Sequence, residues 1–151
     1  MIEDRLWLRR IKPVPPRFAE IDHSGDIGIE VSGKDLREVL ENATMGLLSL
    51  LCRNEVQQVV ERRIRVSSSS AEDLLVDWLG EVLSVVGIYG ELYGTATIDR
   101  IGEWYAEGIL RGERVDPEKH DLRFDVKAAT YHRLTVERRE DGYFGRVIFD
   151  L

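Results

Sequence analysis

Apolar residues recur along this chain in two rhythms, and each change of rhythm marks an element. Arg17–Asp22 and Ile27–Ser32 have a period of two. Ile27, Ile29 and Val31 alternate with Gly28, Glu30 and Ser32, the pattern of a strand with one buried face. Between them, Asp22-His23-Ser24-Gly25-Asp26 has the composition of a turn. At Ser32-Gly33-Lys34-Asp35 the period lengthens. Leu36, Leu40, Ala43, Leu47, Leu50 and Leu51 fall three or four apart, which predicts a helix with one apolar face. It should end near Cys52-Arg53-Asn54, with Asn54 suited to a left-handed C-terminal position. Glu55–Ser67 alternates in part and is rich in β-branched residues, predicting a strand with room for a bulge. Ser70, followed three residues later by Asp73, predicts a helix N-cap. Leu74, Leu75, Trp78, Leu79, Val82, Val85 and Val86 then form a second, broader apolar face, stopped by Gly87 and Gly90.

The remainder reads as strands: Leu92–Ile101, Trp104–Arg111, Arg123–Arg138 and Tyr143–Asp150, punctuated by Gly102, Gly112, Pro117 and Asp141-Gly142. The last pair is a strong hairpin signal. Two strands, a helix, a strand, a helix and four strands make an α+β order. The expectation is a two-layer fold, a mainly antiparallel sheet covered on one face by two helices, over residues 17–151 as a single domain. Residues 1–16 carry Pro13, Pro15, Pro16 and Arg9-Arg10 and read as an N-terminal arm.

Composition narrows the class. With 151 residues, 43% hydrophobic and 32% charged, the chain is long enough for a core and too apolar for a disordered or fibrous protein. Its uncharged runs, of which Val82–Gly90 is the greasiest, fall short of the roughly 20 residues that span a bilayer. The start, Met1-Ile2-Glu3-Asp4-Arg5, has neither a basic nor an apolar signal region. A single cysteine, Cys52, excludes an internal disulfide and a cysteine-based zinc site, so a cytoplasmic location is expected. The net charge of −7 is the wrong sign for a protein that coats nucleic acid.

No phosphate loop, dinucleotide glycine triplet or nucleophile elbow is present. His23, His120 and His132 lack the spacing of a zinc-protease helix. Three polar places remain. Asp22-His23-Ser24-Gly25-Asp26 puts two carboxylates and an imidazole on one turn, suiting a hard cation or proton transfer, or ordinary turn chemistry. At Phe149-Asp150-Leu151, strand residues run to the chain end, where the Asp150 carboxylate meets the main-chain carboxylate of Leu151. Two anions this close call for a cation or donors, unless the chain was simply cut there. In Asp125–His132, alternation puts Asp125, Lys127, Ala129 and Tyr131 on one face. Lys127 sits among apolar neighbours, where it needs a carboxylate or an anion, or is a plain exposed residue.

These places together resemble a known family. Asp22-His23-Ser24-Gly25-Asp26-Ile27 is similar to the archease opening, usually Asp/Glu-His-Thr-Ala-Asp-Ile. Gly112-Glu113, Asp116 and His120 resemble its central Gly-Glu segment. Lys127-Ala128-Ala129-Thr130-Tyr131-His132 resembles its Lys-Ala-Val/Ile-Thr-Tyr-His block, and Asp150-Leu151 its terminal Asp-Ile/Leu. Ser24-Gly25 departs from the usual Thr-Ala, and residues 1–16 have no counterpart. The resemblance implies an accessory protein, not an enzyme. Its partner would be the GTP-dependent RNA ligase of tRNA splicing, which joins a 2′,3′-cyclic phosphate or 3′-phosphate end to a 5′-hydroxyl. The protein would promote ligase guanylylation and multiple turnover, and broaden nucleotide use. It would meet tRNA only through the ligase. The resemblance further implies a divalent cation, calcium foremost with Mg2+ or Mn2+ as alternatives, on Asp26, Asp150 and a main-chain oxygen of Leu151. Lys127 would be needed for activation, with His23 beside it. Two other readings stand: a chaperone or modulator of tRNA-modifying enzymes such as a tRNA methyltransferase, and a metal-dependent hydrolase built on Asp26 and Asp150.

Overall fold

The computed structural model describes residues 17–151 except Ser24, so the arm expected at 1–16 lies outside the described residues. The first strand pair, β1 (Phe18–His23) and β2 (Asp26–Gly33), is followed by helix α1 (Leu36–Leu51), β3 (Val60–Ser67) and helix α2 (Ala71–Tyr89). The remaining elements are all strands: β4 (Glu91–Gly102), β5 (Tyr105–Arg114), the two-residue β6 (Ala128–Ala129), β7 (Thr135–Arg139) and β8 (Gly142–Asp150). The α+β class and the two helices stand as expected.

The expected sheet is divided in two. One sheet runs β1-β2-β8, with β6 and β7 sharing the far edge of β8. The other runs β3-β5-β4. Every pairing is antiparallel. Each helix touches both sheets: α1 packs on β2, β8 and β4, and α2 on β3, β4 and β5 as well as β6 and β7. One core results, joining Ile29 and Val147 of the first sheet, Leu110 of the second, and Leu47, Trp78, Leu79 and Val82 of the helices. Each such side chain contributes roughly 1.5–3 kcal/mol by leaving water.

Local signals explain most element ends. The Asp35 carboxylate accepts from Glu38 N–H at 2.9 Å, and Ser70 Oγ accepts from Asp73 N–H at 3.0 Å. Gly90 closes α2 at φ +62, the left-handed cap that glycine takes without strain, whereas Gly87 lies inside the helix. α1 ends differently from expectation. Cys52 is an extended cap, and the Asn54 side chain instead binds Lys119 O and Asp121 N–H.

The predicted strand Arg123–Arg138 is not continuous. Arg123 N–H and Phe124 N–H donate to Leu51 O and Leu50 O, both at 3.0 Å, and the Arg123 guanidinium donates to Ser49 O. This stretch therefore satisfies the orphan carbonyls of α1, which has no basic residue in its last turn. Strand pairing resumes only at β6 and β7. Likewise β3 begins at Val60 and not at Glu55, because Gln57 N–H is drawn to Glu113.

Candidate functional site

The site is set by the register of the first sheet. Ile27 pairs with Phe149, and both side chains are buried. Asp26 and Asp150 therefore occupy the next register position, side by side on the opposite, outward face. A slip of one residue would bury a carboxylate and expose Phe149, so the burial of Ile27, Ile29, Val147 and Phe149 holds the two aspartates in place. His23 pairs with Asp26 across the β1–β2 turn, extending the same row by its backbone position; its side chain is outside what the structure describes. Asp22 pairs with Ile27 and so belongs to the other face.

Gly28 shapes the floor beneath Asp26. A Cβ there would meet Val147 O at 2.4 Å and Ile148 Cδ1 at 2.8 Å, so only glycine lets Ile148 lie across β2, where it is buried.

The segment 127–134 closes the far side. Lys127 N–H donates to Asp150 O at 2.8 Å, and Ala128 and Ala129 pair with Asp150 and Phe149. Thr130 binds Ile148 O through both its N–H and its hydroxyl. His132 N–H then donates to Thr130 Oγ1, Leu134 N–H donates to Tyr131 O, and Arg133 is forced to φ +53. This tight turn carries His132 Nε2 to 3.8 Å from Asp26 Oδ2. The Tyr131 hydroxyl donates to Asp73 at the start of α2, a bond that raises the phenol's pKa.

Lys127 is exposed and one position out of phase with Ala128. The pleat turns it away from Asp26 and Asp150, into an open cleft of about 540 Å3 shared with Arg65, Asp77, Glu81 and Ser84. Among the described residues its ammonium makes no ion pair, so of the readings open for it the exposed one holds in this structure. A larger cleft of about 850 Å3 lies between α1 and the β7–β8 turn, and neither cleft is lined by Asp26 or Asp150.

Among the described residues no three side chains of His, Cys, Asp or Glu are arranged to hold a metal. The donor chemistry nevertheless suits a hard divalent ion. Asp26 and Asp150 fall one position beyond the Ile27–Phe149 pair, at neighbouring ends of β2 and β8, and the Asp150 carboxylate has no bonding partner among the described residues. Oxygen ligands are what Ca2+ and Mg2+ select.

A second polar centre lies at the end of β5. The Glu113 carboxylate takes Lys119 Nζ and Gln57 N–H, which hold its pKa down to about 2. Buried His120 accepts Asp116 N–H at Nδ1, 2.9 Å, and turns Nε2 to Glu113 Oε2 at 3.2 Å. The Nε2 direction misses that oxygen, so the contact is electrostatic and not a well-aligned hydrogen bond.

The order of these motifs along the chain can be matched against known proteins. The family model described as the Archease protein family (MTH1598/TM1083) matches residues 18–151. The chain belongs to the archease family. It is 29% identical to protein archease of Methanosarcina mazei over 140 residues, covering 89% of this chain and 96% of that one. It is 34% identical to protein archease of Pyrococcus furiosus over 130 residues, 83% and 92% of the two chains. The solution structure of Methanobacterium thermoautotrophicum protein 1598 superposes with a TM-score of 0.76 at 30% identity, covering 90% of this chain and 99% of that one. The crystal structure of a Thermotoga maritima archease, described as a possible chaperone, gives 0.64 at 25% identity, covering 87% and 94%. No helix among the described residues is long and apolar enough to cross a membrane.

Three of the quoted motifs thus meet at one end of the first sheet, and the Gly112-Glu113 to His120 motif forms the second centre at the end of β5 in the other sheet. Of the residues expected from the sequence, Asp26, Asp150, Leu151 and the backbone of His23 lie at this end and Lys127 faces the neighbouring cleft, while His132, which ends the 127–132 block, also reaches Asp26.

Proposed function

We propose that this archease is an accessory protein that activates a GTP-dependent RNA ligase, promoting its guanylylation and multiple turnover and broadening its nucleotide use. The observation that carries this reading is the facing pair Asp26 and Asp150, held in register by buried neighbours and bonded at Asp150 O to the strand that bears Lys127. Asp26, Asp150 and a main-chain oxygen of Leu151 would hold a divalent cation, calcium foremost. When bound, that ion would neutralise the two carboxylates and tie the end of β8 to β2. Lys127, exposed just before β6, presents a compact positive charge to an acidic group or a phosphate on the ligase. The acidic surface suits a basic nucleic-acid channel, so tRNA is met through the ligase and not directly. A cytoplasmic setting agrees with one free, buried cysteine.

The second reading, a chaperone or modulator of tRNA-modifying enzymes such as a methyltransferase, draws on the description of the Thermotoga structure as a possible chaperone. Single-turnover GTP labelling of the cognate ligase separates the two. The expected result is faster labelling with wild-type protein. Asp26→Asn, Asp150→Asn and Lys127→Met should each remove most of the gain while melting within a few degrees of wild type, since none opens a core cavity. Equal labelling with and without the protein would overturn the ligase reading. Full stimulation by all three variants would overturn the site.

A further inference from the structure

The cleft of about 850 Å3 between α1, β4 and the β7–β8 turn lies at the opposite end of the first sheet from Asp26 and Asp150, because Gly33 pairs with Tyr143 there. Arg17, the first described residue, lines it. Ser32 N–H donates to Arg17 O and Phe18 pairs with Val31, so the chain enters β1 from the side of Gly33 and Lys34, which also line the cleft. The ladder stops at Arg17 for a sequence reason: Pro15 and Pro16 have no N–H with which to pair. The floor of the cleft is apolar, since Met45, Ala96 and Tyr143 are only partly buried against the core. Its rim is acidic. Glu38, Glu140 and Asp141 make no ion pair among the described residues, whereas Arg139 is taken by Glu137 and stacked on Phe144. Glu41 accepts from Ile98 N–H, and Arg17 and Lys34 stand at the entry. Clefts of roughly 300–1,000 Å3 take a drug-sized ligand, so this one has room for a few side chains and not for a domain.

We propose that this cleft seats the chain's own N-terminal arm, with Trp7, Leu8 and Ile11 against the apolar floor and Arg9, Arg10 and Lys12 toward the acidic rim. The arm joins the domain at Arg17, on the cleft itself, and ten residues of extended chain span about 33 Å, so Trp7 is within reach. Charge selects the same occupant: residues 5–12 carry four basic side chains and no acidic one. A short tether gives an effective concentration of roughly millimolar, so a seat too weak to hold a free peptide is filled within the chain. The seated arm straps the end of the first sheet to β4, an edge strand of the second, and leaves the Asp26 and Asp150 end open. The family match begins at residue 18, so the strap is an addition to the archease fold, and it does not depend on the ligase reading.

The test is carbodiimide cross-linking of the full chain, which joins an amine directly to a carboxylate it touches. It is run on an equal mixture of 14N- and 15N-labelled protein and read by mass spectrometry. Lys12 should link to Glu38, Glu140 or Asp141 within one isotope. Trp7→Ser and Ile11→Ser should each lower that yield at least fivefold, with thermal melts confirming that both variants fold. Links only between isotopes would give the cleft to a second copy, and no link from Lys12 to these carboxylates would give it to a separate partner; either overturns the inference. An unchanged yield in both variants would mean that the tether alone brings Lys12 near, and would overturn the seat. Wild type also decides by itself. With 5-fluorotryptophan incorporated and Trp7 assigned through Trp7→Phe, the Trp7 fluorine signal should shift less between H2O and D2O than it does in urea-unfolded protein. A shift equal to the unfolded value would overturn the inference even if a serine variant folded poorly.

Discussion

Trp78 shows how much one hydroxyl can organise. The indole is fully buried, and its Nε1–H donates to Thr44 Oγ1 at 2.8 Å, while that hydroxyl donates to Leu40 O at 2.6 Å. The bond joins the two helices inside an otherwise apolar core. Thr44→Val keeps the shape and removes the acceptor, leaving a buried N–H unpaired. A loss of roughly 1–3 kcal/mol is expected, read from urea unfolding at neutral pH. A change below about 0.5 kcal/mol, the ordinary surface range, would show that the core relaxes to satisfy Trp78 elsewhere. Periodicity identified Trp78 as a core residue. It could not identify Thr44 as its partner, because a threonine on a helix reads the same whether it faces solvent or another helix.

At the scale of elements, the segment between β5 and β6 is pinned by Glu113. Its carboxylate gathers Lys119, Gln57 N–H and the edge of His120, and through them fixes the start of the path that leads to Lys127. The depressed pKa gives the pH dependence. Above the ordinary carboxylate value of 4.5 the stabilising contribution is fully present, and it is lost as pH falls from about 4.5 through about 2. Glu113→Gln should lower stability at pH 7 and flatten the acid limb of the stability curve across that window, as measured by thermal melts from pH 7 to 2. An acid limb identical to wild type would remove Glu113 from that role. The same segment shows where pattern reading fails. Arg123–Lys127 has strand composition, but its first amides are taken by the carbonyls of α1, so the strand is interrupted and its later half restarts at β6.

The whole molecule carries a net charge of −7, and on the proposed reading it meets a basic partner. Opposite charge speeds encounter, and salt shortens the reach of the field from about 10 Å at 0.1 M to about 3 Å at 1 M. Stimulation of ligase guanylylation at limiting archease should therefore fall as salt rises, while the ligase alone changes less. Equal salt response with and without archease would argue for an apolar contact surface.

What the sequence by itself determined is local. The Asp35 and Ser70 caps, the two amphipathic helices, the alternation of β2 and the hairpin at Asp141-Gly142 follow from spacing, capping groups and turn chemistry within a few residues. The motifs also carried the family. Only the tertiary structure decided which strands are neighbours. Alternation says which face a residue takes, not which strand lies beside it. The split into two sheets, the facing of Asp26 and Asp150, the turning of Lys127 into a different cleft and the approach of His132 to Asp26 all depend on pairings far apart in the chain. Those pairings were settled by burial of Ile27, Ile29, Val147 and Phe149 in a core shared with both helices, a free energy that belongs to the assembled layers and to no single segment.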